Sequence, residues 1–266
     1  MIIRVADIRA DVDCPDERLE RRFSYEHAEF ASGGPAHLRL ELRTVPPDEK
    51  PPPPPAERDS LLAVNSGGNS AWFDFAQMSG AVHAPRERLL PVGCTFLSTI
   101  YSHLLLRRDG LAMHAAAVVP SSEAVLLVGA GQAGKTTLAT LCPRGDVVHD
   151  DLTLLRRRED GRFWVHPSPP WTGEMGAQPG QEPVAAAGVF FLQQADHSEA
   201  QPLPLAAAVA RLLVTPYGLT GRSSWHNLLD RCQAIASQMP CFELSFARDA
   251  SAWQAIDQAL EGCGVN

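Results

Sequence analysis

Ala124-Val125-Leu126-Leu127-Val128-Gly129-Ala130-Gly131-Gln132-Ala133-Gly134-Lys135-Thr136 is the stretch on which the reading of this chain turns. The apolar run 124–128 predicts a buried strand, and 129–136 fit G-x-x-x-x-G-K-[ST] without a mismatch. Residues 136–141 have helix-compatible apolar spacing before Pro143, so the loop lies between strand and helix, as a phosphate-binding loop requires. Its glycines let backbone N–H groups turn inward around phosphates, and a helix N-terminus adds its positive end. The candidate nucleotide-contacting residues are Gly129, Gly131, Gln132, Ala133, Gly134, Lys135, Thr136 and Thr137. In such a loop Lys135 reaches the β- and γ-phosphates as a point charge, and the Thr136 hydroxyl ligates Mg²⁺. Lys50 and Lys135 are the only lysines among 23 basic residues, the rest being arginines. Lysine therefore survives where a compact ammonium does what a planar guanidinium cannot.

Downstream, Asp150-Asp151 follow Asp146-Val147-Val148-His149. If 147–149 form a strand beside the loop strand, both carboxylates emerge at the carboxyl edge of the sheet, where ligands of open α/β sheets bind. One acid would then orient or deprotonate a hydroxyl acceptor while the other holds Mg²⁺. Capping a turn is the competing role for any Asp pair, and the short interval from Lys135 favours the site. Upstream, His114 stands in Met113-His114-Ala115-Ala116-Ala117, on a strand that forms a hairpin with the loop strand. It reads either as a hydrogen-bonded strand residue or as a member of the site.

Working outward, residues 1–92 read as a small, mostly β module and 93–266 as the phosphate-loop domain. Residues 37–43 alternate with period two, and 61–64 and 71–75 flank the turn 65–69 as a hairpin. Residues 45–58 are a proline-rich loop that favours polyproline II. Residues 93–107 and 250–260 read as helices, as does 204–213, and 242–246 as a strand. Arg156-Arg157-Arg158 read as a solvated face of a hairpin, or as a hold for an acidic peptide. Trp171 either packs or stacks on a base, and Arg222 is a candidate cation near the γ-phosphate.

Composition narrows the function further. The 266 residues carry a net charge of −8, and the pI near 5.6 argues against a nucleic-acid binder. The six cysteines contain no C-x-x-C pair and read as buried thiols of a reducing compartment, without a zinc site. No apolar run approaches the length that spans a membrane, and the N-terminus lacks a signal-peptide pattern, so a cytoplasmic location is expected.

Together, the Met113-His114-Ala115 strand, the phosphate loop, Arg144-Gly145 and Asp150-Asp151 resemble the catalytic domain of HPr kinase/phosphorylase. The matching core covers 111–155, with looser similarity through 167–173 and the C-terminal strand and helix. The resemblance implies an α/β fold: an HPr-kinase-like P-loop catalytic domain with a mixed β-sheet, preceded by a small mostly-β (α+β) module. It also implies an ATP- and Mg²⁺-dependent phosphotransferase. By that carry-over Asp150 is the general base, Asp151 assists it or the metal, His114 lies near the transferred phosphate, and Lys135 and Thr136 serve the nucleotide and the metal. Gly131-Gln132 stand where that family has Ser-Gly, and no counterpart of its I-E-x-R-G-x-G-I signature follows the acids, which points away from HPr as substrate. The chain is similar instead to HPr-kinase-like proteins found with ribosomally made, modified peptides. The expected reaction is γ-phosphate transfer to a Ser or Thr hydroxyl of a peptide or small protein, with no nucleic acid or membrane partner and with a homo-oligomer permitted. The alternatives are a small-molecule (amino acid) kinase and a non-catalytic ATP-binding sensor that recruits a partner.

Overall fold

The computed structural model describes residues 1–143, 145–169, 171, 181–219 and 225–264. The chain divides into two compact units, Met1–Tyr101 and Ser102–Asn266. The first contains β1 (Ile2–Val5), β2 (Ile8–Asp13), α1 (Glu17–Glu26), β3 (Leu38–Thr44), β4 (Leu61–Ser66), β5 (Asn69–Asp74), β6 (Ser79–Ala84) and the start of α2 (Leu89–Arg107). The strands form one six-stranded sheet in the order β1-β2-β3-β6-β5-β4. The period-two pattern of β3 buries Leu38, Leu40 and Leu42 while Arg39 and Arg43 face water. Asp16 caps α1, its Oδ1 accepting from the backbone N–H of Arg18 at 3.0 Å and of Leu19 at 3.1 Å. The expected hairpin forms as β4 and β5 around Gly67-Gly68, both at positive φ (58° and 77°).

The boundary between the units falls inside α2, not at 92/93, because the helix begins at Leu89 and its first turns pack on the first sheet. A Cβ on Gly93 would lie 2.9 Å from Leu42 Cδ2, and the Tyr101 hydroxyl donates to the Ile8 carbonyl at 2.9 Å. Contrary to the sequence expectation, α2 is long and apolar enough to cross a membrane by length and composition, and 72% of that window is buried inside the protein. The apolar runs alone missed it because Thr95, Ser98, Thr99, Ser102 and His103 interrupt them without adding full charges.

The second unit runs β7 (Gly110–Val119), β8 (Ala124–Val128), α3 (Lys135–Thr140), β9 (Asp146–His149), β10 (Leu152–Arg157), β11 (Phe163–His166), β12 (Val184–Gln194), β13 (Glu199–Pro202), α4 (Leu205–Leu212), α5 (Trp225–Gln238), β14 (Cys241–Phe246) and α6 (Ser251–Gly262). It is a mixed α/β unit whose strands follow the order β11-β10-β7-β8-β12-β14-β13, with β9 paired to β7. β8 is parallel to β12 and antiparallel to β7. Strands covered on both faces read as unbroken apolar runs, and the central strands do so here. Leu126, Val189 and Phe191 face a core with Leu212 and Ile235, whereas Leu127 and Phe190 face Leu244, Trp253 and Ile256. Among the described residues no disulfide joins the cysteines; Cys232 and Cys241 are buried as expected, but Cys14, Cys94 and Cys142 are only partly buried and Cys263 is exposed.

One expectation fails instructively. Strand β9 does not lie beside the loop strand β8; it pairs with β7, which separates the two.

His103, near the end of α2, is held neutral. Burial and then the Arg107 charge push its pKa from the ordinary 6.5 down to about 4. A base whose folded pKa is depressed contributes stability that is complete above the unfolded value and is lost as pH falls toward the folded one. Denaturant midpoints should therefore drop between pH 7 and pH 5 in the wild-type protein, and drop less in His103→Gln.

Candidate functional site

The site is set by strand β7. β8 pairs antiparallel with it on one side, with Val128 opposite Ala115, and β9 does so on the other, with His149 opposite Ala117. The two flanking strands thus run in the same sense and end at the same edge, beside His114. β7 is buried along its length except for its last residue, Val119, and for His114, whose side chain is 48% exposed. The His114 backbone N–H donates to the Thr215 carbonyl at 2.8 Å, and its ring meets Tyr217 edge-on at 4.9 Å.

After β9 the chain bends at Asp150-Asp151 and resumes pairing with β7 as β10, Leu152 lying opposite His114. The bend is held by His149. Its Nδ1 accepts from the backbone N–H of Leu152 at 3.0 Å and of Asp151 at 3.2 Å. Accepting at Nδ1 assigns the proton of the neutral ring to Nε2. Nε2 makes no well-formed hydrogen bond, although the Pro169 carbonyl lies near enough to favour its protonation. Burial lowers the His149 pKa against the opposing pull of Asp150 and Asp151. Across the bend the Thr153 hydroxyl donates to the Ala115 carbonyl at 2.8 Å.

This geometry splits the acid pair. Asp150, expected as the acceptor-side base, has a side chain only 4% exposed, with Oδ1 3.9 Å from His149 Nδ1. Asp151 is 36% exposed, and its Oδ1 lies 3.9 Å from His114 Nδ1. A cavity of about 490 Å³ is lined by His114, Asp151, Gly129, Ala130, Gly131 and Lys135, together with Phe191, Leu192, Arg211 and Thr215. Asp151 is thus the carboxylate that reaches it.

The loop between β8 and α3 has the shape its glycines require. Gly134 sits at φ 99°, and a Cβ there would come within 2.8 Å of Phe246 Cζ. Gln132 takes φ 65°, a left-handed backbone in a residue that is neither Gly, Asn nor Asp. Its carbonyl accepts from Gln194 Nε2 at 2.9 Å, which holds the strained turn. Among the described residues nothing lies within 4 Å of a Cβ built on Gly131. Lys135 Nζ donates to the carbonyls of Gly129 at 2.9 Å and Ala130 at 3.4 Å. Thr136 and Thr137 are exposed at the first turn of α3.

Arg211 on α4 adds a second cation, which the sequence reading passed over. It pairs with Glu243 on β14, and its guanidinium lies 5.7 Å from the centre of the Phe191 ring. The signal was present: Arg211 is the only charged residue in LAAAVARL. Arg222, the cation named from sequence, lies outside the described residues, as do Arg144 and part of 167–173. Trp171 is buried, which fits its packing role.

Among the described residues no cluster of three or more His, Cys, Asp or Glu is arranged to hold a metal ion. The Thr136 hydroxyl and the Asp151 carboxylate remain as candidate oxygen donors, a sparse set of the kind Mg²⁺ completes with substrate phosphates and water. The donors present therefore fit a metal that arrives with a nucleotide.

A family model described as ScmC, SynChlorMet cassette protein ScmC, matches residues 85–261. No curated protein matches the chain. Among solved structures similar to it is the Hpr(Ser) kinase/phosphatase from Coxiella burnetii, at 11% identity and a TM-score of 0.33, covering 58% of this chain and 90% of that one.

Two outcomes follow from the local geometry. His149→Ala leaves two backbone N–H groups at the bend without their acceptor and should lower stability by about 1–3 kcal/mol in denaturant unfolding. Gln132→Gly removes left-handed strain and should raise stability by about 1 kcal/mol, read in the same experiment.

Proposed function

We propose that this chain, which belongs to the ScmC family of SynChlorMet cassette proteins, transfers the γ-phosphate of ATP to a Ser or Thr hydroxyl of a peptide. The observation that carries the reading is the single cavity of about 490 Å³ in which the phosphate loop and Lys135 share a lining with Asp151 and His114. Donor-side and acceptor-side chemistry thus meet in one place, at a size usual for small-molecule sites.

In this reading the loop backbone cradles the phosphates, and Lys135 exchanges the Gly129 and Ala130 carbonyls for phosphate oxygens. Asp151 accepts the proton of the acceptor hydroxyl as the new oxygen–phosphorus bond forms and the bond to the β-phosphate oxygen breaks, releasing ADP. His114 donates a hydrogen bond beside it to the transferred group. Arg211, fixed by Glu243, supplies positive charge from the other wall of the cavity. Mg²⁺, when bound, would neutralise phosphate charge; Thr136, exposed at the first turn of α3, is the residue that would hold it, with Asp151 as the other candidate oxygen donor. Asp150 acts through position: it sits beneath the bend, next to His149. A peptide acceptor is supported by membership of a cassette family; a free amino acid is the competing acceptor.

The test is transfer from γ-labelled ATP to peptides encoded beside the gene and to free serine. Asp151→Asn should lower transfer about 10²- to 10⁴-fold while ATP still binds. Arg211→Ala should lower kcat about 10²-fold, and Lys135→Ala should abolish transfer. Loss in Asp150→Asn with full activity in Asp151→Asn would overturn the base assignment, and no labelled acceptor with intact ATP binding would favour a nucleotide sensor.

A further inference from the structure

The first unit carries a cleft that phosphoryl transfer leaves unused. It measures about 450 Å³ and lies between the β4–β5 hairpin and the first turns of α2. Val64, Ala71, Val92 and Phe96 form its apolar wall, Val64 and Ala71 being a direct cross-strand pair. Val64 is 46% exposed, so a side chain seated against it would remove apolar surface from water.

The formal charge around this wall has one sign. Among the described residues Arg88 is the sole charged residue lining the cleft and no carboxylate does so; its Nη1 donates to the Gly67 carbonyl at 3.0 Å, tying the hairpin turn to the start of α2. Asn69 Oδ1 is a buried acceptor without a donor. An occupant should therefore bring negative charge, an N–H group and apolar side chains.

The neighbouring strand points to the form of that occupant. β4 ends the sheet, with β5 as its only strand partner among the described residues. Its sequence, LLAVNS, contains neither charge nor proline, the usual devices that keep a sheet edge from pairing. The opposite edge, β1, is shorter and carries Arg4.

We propose that this cleft binds an extended peptide that adds to β4 as a further strand, seats apolar side chains from alternate positions against Val64 and Phe96, and sets an Asp or Glu against Arg88. Backbone pairing supplies affinity in such strand addition, while pockets for alternate side chains supply selection. The proposal concerns a peptide partner of the first unit and stands apart from the phosphotransfer reading.

The test uses the immobilised full-length chain and a pooled library of randomised heptapeptides, with retained sequences read by mass spectrometry. Wild type should enrich peptides with apolar residues at alternate positions and one acidic residue. Val64→Asp should retain them about tenfold less, and Arg88→Glu should lose the acidic preference. Both positions are exposed, and thermal melting checks that the variants fold. Lys135→Ala should retain the same set as wild type, so failure of the kinase reading and failure of this one separate cleanly. The proposal is overturned if wild type enriches nothing over blank resin, if both cleft variants retain the wild-type set, or if decanoate binds saturably while no peptide is retained.

Discussion

The antiparallel pairing of β7 with strands on both of its sides is the constraint on which the site depends. Because β8 and β9 each run against β7, they run with one another, and the chain segments leaving them must emerge at one edge. The glycine-rich loop leaves β8 at Gly129 and the acid pair leaves β9 at Asp150, with His114 between them on β7. No contact between loop and acids is needed to produce this arrangement. Ladder hydrogen bonds and strand direction suffice.

Holding the bend costs backbone hydrogen bonds, and side chains replace them. The N–H groups of Asp151 and Leu152 go to His149, and the Ala115 carbonyl receives the Thr153 hydroxyl. Burial keeps the His149 ring neutral, which is the form that can accept. The same bend turns Asp151 into the cavity and Asp150 into the interior, so neighbours in sequence with one chemistry take different environments. Lys135, Arg211 and His114 then line one cavity with Asp151.

Much of the second unit was legible because its signals are local. The 124–128 strand, the loop and the short helix after it stand where the pattern G-x-x-x-x-G-K-[ST] put them. The hairpin through Gly67-Gly68, the strand alternation of 37–43, observed as Leu38–Thr44, and the terminal helix with Trp253, Ile256 and Leu260 on its inner face were equally readable. What escaped were features whose cause lies far along the chain. Pairing of β9 with β7 is decided by competition among strands, and nothing in Asp146-Val147-Val148-His149 encodes the partner. Strands β1 and β2 were missed because they are short segments mixing charged and apolar residues, β6 because its apolar residues are mostly small, and helix α1 because only Leu19 and Phe23 mark its buried face.

By itself the sequence determined a strand, a glycine-rich turn ending in Lys135-Thr136 and the helix after it, with an adjacent pair of acids downstream. It did so because a tight turn between strand and helix needs small residues at fixed spacing, a requirement written within a few consecutive positions. Only the tertiary structure decided which acid faces the cavity, that His149 shapes the bend, and that Arg211 joins from a helix far along the chain. Those outcomes depend on strand partners and on the direction a backbone turns at one bend, and both are fixed by long-range packing and hydrogen bonding.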